Sequence, residues 1–418
     1  MLFVFFQIVS GQNTADVWTL QQCIDYALEH NIQIKRANFN VVSNETSLNM
    51  ARSDWLPDIN ASLGDGFEKD ISNSANAGVE LNMLLFDGLR TVSNTKAKRS
   101  NVMASFEDLQ KIKNDVTLNV VSLYLNVLIQ KELKKTAQEQ VTLSDTLEKT
   151  VEKLVGSGRE PQSKLHEIRA QKANDDYNLI NAENNLQLAL LDLMQILEID
   201  FDNFDIETPL FDIDSFTIPI VIFDNVLAFL PNVRSEEYRL ESLQKTLGTT
   251  RASYYPNLSL SASASTTYNY YFKDKTLNTT SFFKQLSNNW RSYIGVSMSI
   301  PIFNRLETLN NLKLSKVQIQ QQKIEIENAK KALFKEIQRA ILKANSSRQR
   351  YNSANVSVQA NNEVFRQVKE RFRMGKATSF DLQQAKNNLE KSHSEYIQAK
   401  YEFIFSIKIL RFYSGENL

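Results

Sequence analysis

Two stretches of this chain lie over one another at a constant offset, and that duplication limits the possible folds more than any single motif does. Phe86 in LLFDG aligns with Phe303 in PIFNR, and Gly158 in VGSGREPQSKL aligns with Gly375 in RMGKATSFDL, both at 217 positions. An unchanged offset leaves no net insertion between the two anchors. Upstream, Pro57 in SDWLP meets Pro256 in SYYP at 199, and Asn31 in ALEHNIQI meets Asn232 in AFLPNVRS at 201. One half therefore carries a loop longer by 18 residues between proline and phenylalanine. Each half reads as helix, two strands, very long helix, turn, helix. The expected division is a first repeat over 12–199, a connector over 200–222 and a second repeat over 223–418.

The strands are predicted from alternation, which puts every second side chain on one face. Leu260, Ala262, Ala264, Thr266, Tyr268, Tyr270 and Phe272 share a face backed by Ser259, Ser261, Ser263, Ser265 and Thr267. Ile294, Val296, Met298, Ile300 and Ile302 continue it, with Trp290 at the start. In the first half, Ile59, Ala61 and Leu63 alternate with polar residues, as do Val79, Leu81, Met83 and Leu85. Four strands per chain result. An antiparallel sheet with one wet side is the ordinary reading of such a pattern. Two features favour lipid instead: the strands approach the length that crosses a bilayer at a tilt, and aromatics gather at one end. Hydrocarbon offers no partner to an open sheet edge, and spanning barrels start at about eight strands. A four-stranded chain must therefore close its barrel with copies of itself.

The helices carry a second constraint. From Leu306 to about Phe372 the chain holds neither glycine nor proline, and at 1.5 Å per residue such a helix would extend about 100 Å. Tyr351, Ala354, Val358, Asn361, Phe365, Val368 and Phe372 recur at spacings of three and four, a packing seam. Leu133, Ala137, Gln140, Ser144, Leu147, Val151 and Leu154 repeat it in the first half. Glycines at 156, 158 and 375 suit turns that reverse the chain. Pro161 suits the first turn of the returning helix, and Thr378 or Ser379 can cap the other. Thr19 and Gln22 form a capping-box pattern ahead of the first helix.

Composition removes other classes. Lys and Arg total 48 against 48 acids, so bulk charge gives no affinity for nucleic acid. Cys23 is the only cysteine, which excludes an internal disulfide and a cysteine zinc cluster. No run approaches the roughly 18 apolar residues of a spanning helix, and mean hydropathy is −0.35. The apolar opening MLFVFFQIVSGQ reads as a signal peptide over 1–11, truncated in that the usual basic residues ahead of the apolar run are missing. His30, His166 and His393 are scattered without ligand spacing, and no nucleophile elbow or phosphate loop is present, so no enzyme and no cofactor are expected. The acids between Asp200 and Ile222 lack the glycine and glutamate of a calcium loop and read as a solvated connector. Lys273 to Asn289 is expected to be a loop facing the cell exterior.

The ordered series WTLQQCIDYALEHN, SDWLP, LLFDGLR, VGSG, SYYP, VSMSIPIF and RMGKATSFDLQQAK resembles the TolC-like outer-membrane efflux proteins over nearly the whole mature chain. That resemblance implies a mainly α fold with a transmembrane β-barrel contribution: long helical coiled-coil hairpins in two tandem repeats plus four strands per chain. It implies a homotrimer with a 12-stranded barrel in outer-membrane lipid, continued by an α-barrel into the periplasm. It further implies passive export of unaltered substrate, with a periplasmic membrane-fusion adaptor and an inner-membrane transporter as partners. By position, the adaptor-docking tip turns are Val155, Gly156, Ser157 and Gly158, and Arg373, Met374, Gly375 and Lys376. The candidate periplasmic gate is Asp381 with Lys164; Gln384 stands where the family often has a second acid. A solvated helix face is the other reading of the gate positions. The competing overall reading is a structural or adhesive coiled-coil protein whose strands form an ordinary capping sheet.

Overall fold

The computed structural model describes residues 16–69, 72–200, 204–209, 230–272 and 280–415. The expected signal peptide lies outside these residues. The chain is mainly helical, and no described helix is long and apolar enough to cross a membrane. It divides into two compact units: Met1–Arg36, Gln110–Leu230 and Lys331–Leu418 form one, and Ala37–Leu109 and Pro231–Lys330 form the other.

The duplication reappears in the boundaries of the helices. Helices α1 (Leu20–His30) and α2 (Ile32–Ser53) precede strands β2 (Asp58–Glu68) and β3 (Ser72–Phe86). Helix α3 (Arg90–Gly156) then runs 67 residues and α4 (Gln162–Leu197) returns for 36. In the second half α5 (Pro231–Ala252) leads into β5 (Asn257–Tyr271), a short α6 (Phe282–Asn288) and β6 (Arg291–Ser299). Helices α7 (Glu307–Arg373) and α8 (Ser379–Ser414) again have 67 and 36 residues, starting and ending 217 positions after α3 and α4. Equal lengths follow from equal punctuation: neither long helix has an internal breaker, and both stop where glycine first permits a left-handed residue.

The strand-to-helix turns are alike as well. Gly88 and Leu89 both have positive φ (67° each), and so do Arg305 and Leu306 (56° and 66°). Asp87 Oδ2 accepts from the Thr91 amide and hydroxyl at 2.8 and 2.6 Å, and Asn304 meets Thr308 at the equivalent place. Gly88 is required on a second ground, since a Cβ there would come within 2.6 Å of Tyr255 Cβ and 2.8 Å of the Ala252 carbonyl.

Two short strands go beyond the four expected. β1 (Asp16–Trp18) pairs in parallel with β4 (Phe204–Ile206). The connector is thus not simply solvated: Phe204 and Ile206 are buried, and Asp205 pairs with Lys131 at 2.5 Å. Tyr124 on α3 donates to the Glu207 carbonyl at 2.8 Å, and Lys131 donates to the Ile206 carbonyl at 2.6 Å. Trp18 adds edge contacts to Tyr26 and Phe204. The capping box of Thr19 and Gln22 forms as expected. Pro161 sits one position earlier than expected, as N-cap of α4, with an extended ψ of 155°. Residues 282–288 of the expected exterior loop are helical, while 273–279 lie outside the described residues.

Candidate functional site

The second unit holds a four-stranded antiparallel sheet in the order β2-β3-β5-β6. Directly opposed residues share a face, so the register decides which side chains group together. The pairs Ile59↔Leu81, Leu81↔Ala262 and Ala262↔Ile294 cross the whole sheet, and Met83↔Leu260 with Leu260↔Val296 runs parallel to them. One face is therefore apolar along these rows. The opposite face carries Asn60, Glu80, Ser263 and Tyr293 in the same way. A bulge between Leu84 and Phe86 brings Phe86 opposite Leu258, which returns an aromatic to the apolar side at the helix end of the strand.

The unit's own helices leave that apolar face open. Leu63 is 88% exposed and Ile294 74%, and Val296, Met298 and Ile300 are exposed too. An apolar wall of this extent is not a soluble surface. Among the described residues both edge strands, β2 and β6, have a neighbour on one side only.

The first unit holds the helical hairpin ends, and their two turns are built alike. After α3 the Arg159 amide donates to the Leu154 carbonyl and the Gly158 amide to the Val155 carbonyl, both at 2.9 Å. After α7 the Lys376 amide donates to Arg371 at 2.8 Å and the Gly375 amide to Phe372 at 2.9 Å. Nested bonds of this kind close a helix through a left-handed residue, here Gly158 (φ 73°) and Gly375 (φ 69°). Below the turns Val151, Leu165 and Ile168 form a small core with Leu147, Val155 and Phe372. Phe365, Leu382 and Ala385 form another with Leu143, Val368 and Leu389. The seam residues of both long helices are buried or half-buried, as their spacing requires.

The expected gate residues have local partners. Thr378 is the N-cap of α8: its amide and hydroxyl donate to Asp381 Oδ2 at 2.8 and 2.7 Å, and the Asp381 amide donates back to Thr378 Oγ1 at 3.1 Å. These bonds hold the Asp381 carboxyl below the usual carboxylate range. Lys164 pairs with Glu167 at 2.8 Å, and Gln384 donates to Asn388 at 3.3 Å. Asp381 and Lys164 are thus each engaged within their own helix.

Sequence reading missed a charged group buried between helices. Lys386 on α8, only 1% exposed, pairs with the equally buried Asp175 on α4 and donates to Ser144 Oγ on α3 at 2.7 Å. Ser144 also bonds Asp175, and Gln171 donates to the other carboxylate oxygen at 2.9 Å. The one advance signal was Ser144, a small polar residue on an otherwise packed seam. A second tie, Glu132 with Lys400 (2.7 Å) and Tyr401 (2.6 Å), joins α3 to α8 further along. On the surface Lys172 bridges Asp145 and Glu148 at 2.8 and 3.0 Å, and Arg169 meets Glu148 at 3.0 Å, lacing α4 to α3. Hydrogen bonds from Lys149 and Lys172 pull the Asp145 carboxyl down to about 2.

The family model described as "Outer membrane efflux protein" matches residues 23–197 and 222–416. This chain belongs to the outer membrane efflux protein family. Among relatives of this efflux protein, BepC of Brucella suis is 20% identical over 92% of the chain and 83% of its own length. The probable outer membrane lipoprotein SilC of Salmonella typhimurium is 24% identical over 76% and 68%. A crystal structure of CusC superposes with a TM-score of 0.81 at 17% identity, covering 99% of the chain and 97% of CusC. The CmeC channel of Campylobacter jejuni gives 0.82 at 20%, covering 95% and 85%. The efflux protein is accordingly an outer-membrane efflux channel of Gram-negative type that extends into the periplasm. Members of its family are channels rather than enzymes, and they form trimers that work with adaptors and inner-membrane pumps.

Proposed function

We propose that three copies of this chain join their sheets into one twelve-stranded barrel and conduct substrates passively, without chemical change, from a periplasmic adaptor and inner-membrane transporter to the exterior. One observation carries this reading. The sheet has an apolar face open to its surroundings and two unpaired edges, and lipid tolerates the first but not the second. Pairing β6 of one copy with β2 of the next closes the two outer edges of the sheet and leaves the serine-rich face around an aqueous lumen. Detergent extraction followed by mass determination tests it: trimers that conduct ions in planar bilayers are expected, and a stable monomer without conductance would refute it.

Within this assembly the two tip turns dock the adaptor, and the repeats divide at the 200–222 connector. Support for the docking role is the identical turn geometry, which presents Ser157 and Met374 outward from two equivalent places. Asp381, Lys164 and Gln384 set the field at the narrow end. Because Asp381 also caps α8, Asp381→Ala removes charge and cap together, whereas Asp381→Asn removes charge and keeps an acceptor. Raised closed-state current in Asp381→Asn or Lys164→Ala channels is expected; unchanged current in both removes these residues from the gate. Relatives are named for cation efflux (CusC) and for toxin and drug export, and cargo choice is assigned here to the transporter partner.

A further inference from the structure

The short helix α6 lies on the side of the sheet that the proposed function turns toward lipid. β5 runs to Tyr271, but β6 begins only at Arg291, opposite Ser265, so among the described residues the last six of β5 have no strand on that edge. α6 and its flank fill the gap. Asn289 Nδ2 donates to the Thr267 carbonyl at 2.6 Å, and Gln285 Oε1 accepts from the Asn269 amide at 3.1 Å. Thr266 Oγ1 donates to the Leu286 carbonyl at 2.6 Å. Phe282 meets Tyr268 edge-on, with ring centres 4.8 Å apart. Phe282 and Leu286 border a groove with Leu63, Asp65, Ala75 and Ala77; Leu63↔Ala77, Ala77↔Thr266 and Ala75↔Tyr268 all lie on the apolar face, and Asp65 stands opposite Ala75 where that face gives way to polar residues.

Edge protection accounts for Gln285 and Asn289. It does not account for Phe283, which is 81% exposed on the same helix, nor for Trp290 at 61%. We propose that α6 is an interfacial anchor, lying against the outer wall of the barrel with Phe283 and Trp290 in the headgroup and acyl boundary of the outer leaflet. Its occupant is lipid, because the surface under α6 is continuous with the face already assigned to hydrocarbon. Aromatic side chains on an in-plane helix with one charged residue, here Lys284, suit that boundary. The proposal rests on the lipid-facing reading of the sheet.

Site-directed spin labelling in phospholipid vesicles tests it, with Cys23 buried and its thiol pushed up to about 12, so that it stays unlabelled at neutral pH. A label at Phe283→Cys should collide with oxygen more often than with an aqueous nickel chelate, as should a label at Val296→Cys on the same face; one at Ser261→Cys on the opposite face should show the reverse. Nickel dominance at Phe283 with oxygen dominance at Val296 overturns the anchor and leaves the channel intact. Nickel dominance at Val296 overturns both. Without any label, the Trp290 share of fluorescence, taken by difference with Trp290→Phe, should fall in vesicles of brominated phospholipid; no fall there overturns the anchor as well.

Discussion

Replacing Lys386 by methionine should destabilise the helical unit far more than any surface change. The ammonium is fully buried, donates to Ser144 Oγ at 2.7 Å and pairs with Asp175. Methionine fills much of its volume but leaves a buried carboxylate with only Ser144 and Gln171 as donors. Breaking one side of a buried pair costs about 3–5 kcal/mol. Protonation sets a ceiling: giving a proton to an aspartic acid of ordinary acidity costs about 4 kcal/mol at pH 7 and about 1.4 kcal/mol less for each unit below that. The expected loss at pH 7 is therefore about 3–4 kcal/mol, two to three powers of ten in the folding equilibrium. Urea titration of the detergent-solubilised channel, followed by far-ultraviolet circular dichroism, reads this loss. Lys386→Met with Asp175→Asn should recover part of the loss, because no charge then remains buried. Lys149→Met, which touches only the exposed Asp145 pair, should stay within about 0.5 kcal/mol. A Lys386→Met variant no less stable than Lys149→Met would refute the reasoning.

Other expectations follow from single contacts. Gly158→Ala and Gly375→Ala meet open space but require a positive φ, so each should cost about 1 kcal/mol in the same titration. Thr378→Ala removes the hydroxyl that accepts from the Asp381 amide and should cost about 1 kcal/mol, with Thr378→Ser restoring most of it. Asp145 is held down to about 2 by Lys149 and Lys172. Its contribution is present above the ordinary carboxyl range and is lost as pH falls through about 2, so Asp145→Asn should flatten the acid limb of a stability curve. Cys23, pushed up to about 12 by burial, should resist iodoacetamide at pH 8 in the native channel and react at once in urea.

Local rules were enough to read the helices. Their ends are written in residues with strong backbone preferences: Gly158 and Gly375 close them, and Thr19 and Thr378 cap them. The strands were readable because alternation is a local property, yet the bulge at Leu84/Phe86 was not, since it depends on where β5 lies. The β1-β4 pair escaped notice for a related reason. Three-residue strands carry no usable period, and what holds them is Tyr124 and Lys131 reaching across from α3. The stretch from Lys273 to Asn289 read as an irregular loop because α6 is too short for a helical pattern and is held by bonds to β5.

The sequence by itself determined the duplication, the helix lengths and the two-faced strands, because each follows from chemistry within a few residues or from comparing one half with the other. Tertiary structure alone decided that Asp175 and Lys386, 211 residues apart, share one buried bond. It alone laid α6 on the apolar wall. A charge on a helix looks the same in a sequence whether it meets water or a partner. Only the packing of distant segments removes the water, and with it the ambiguity.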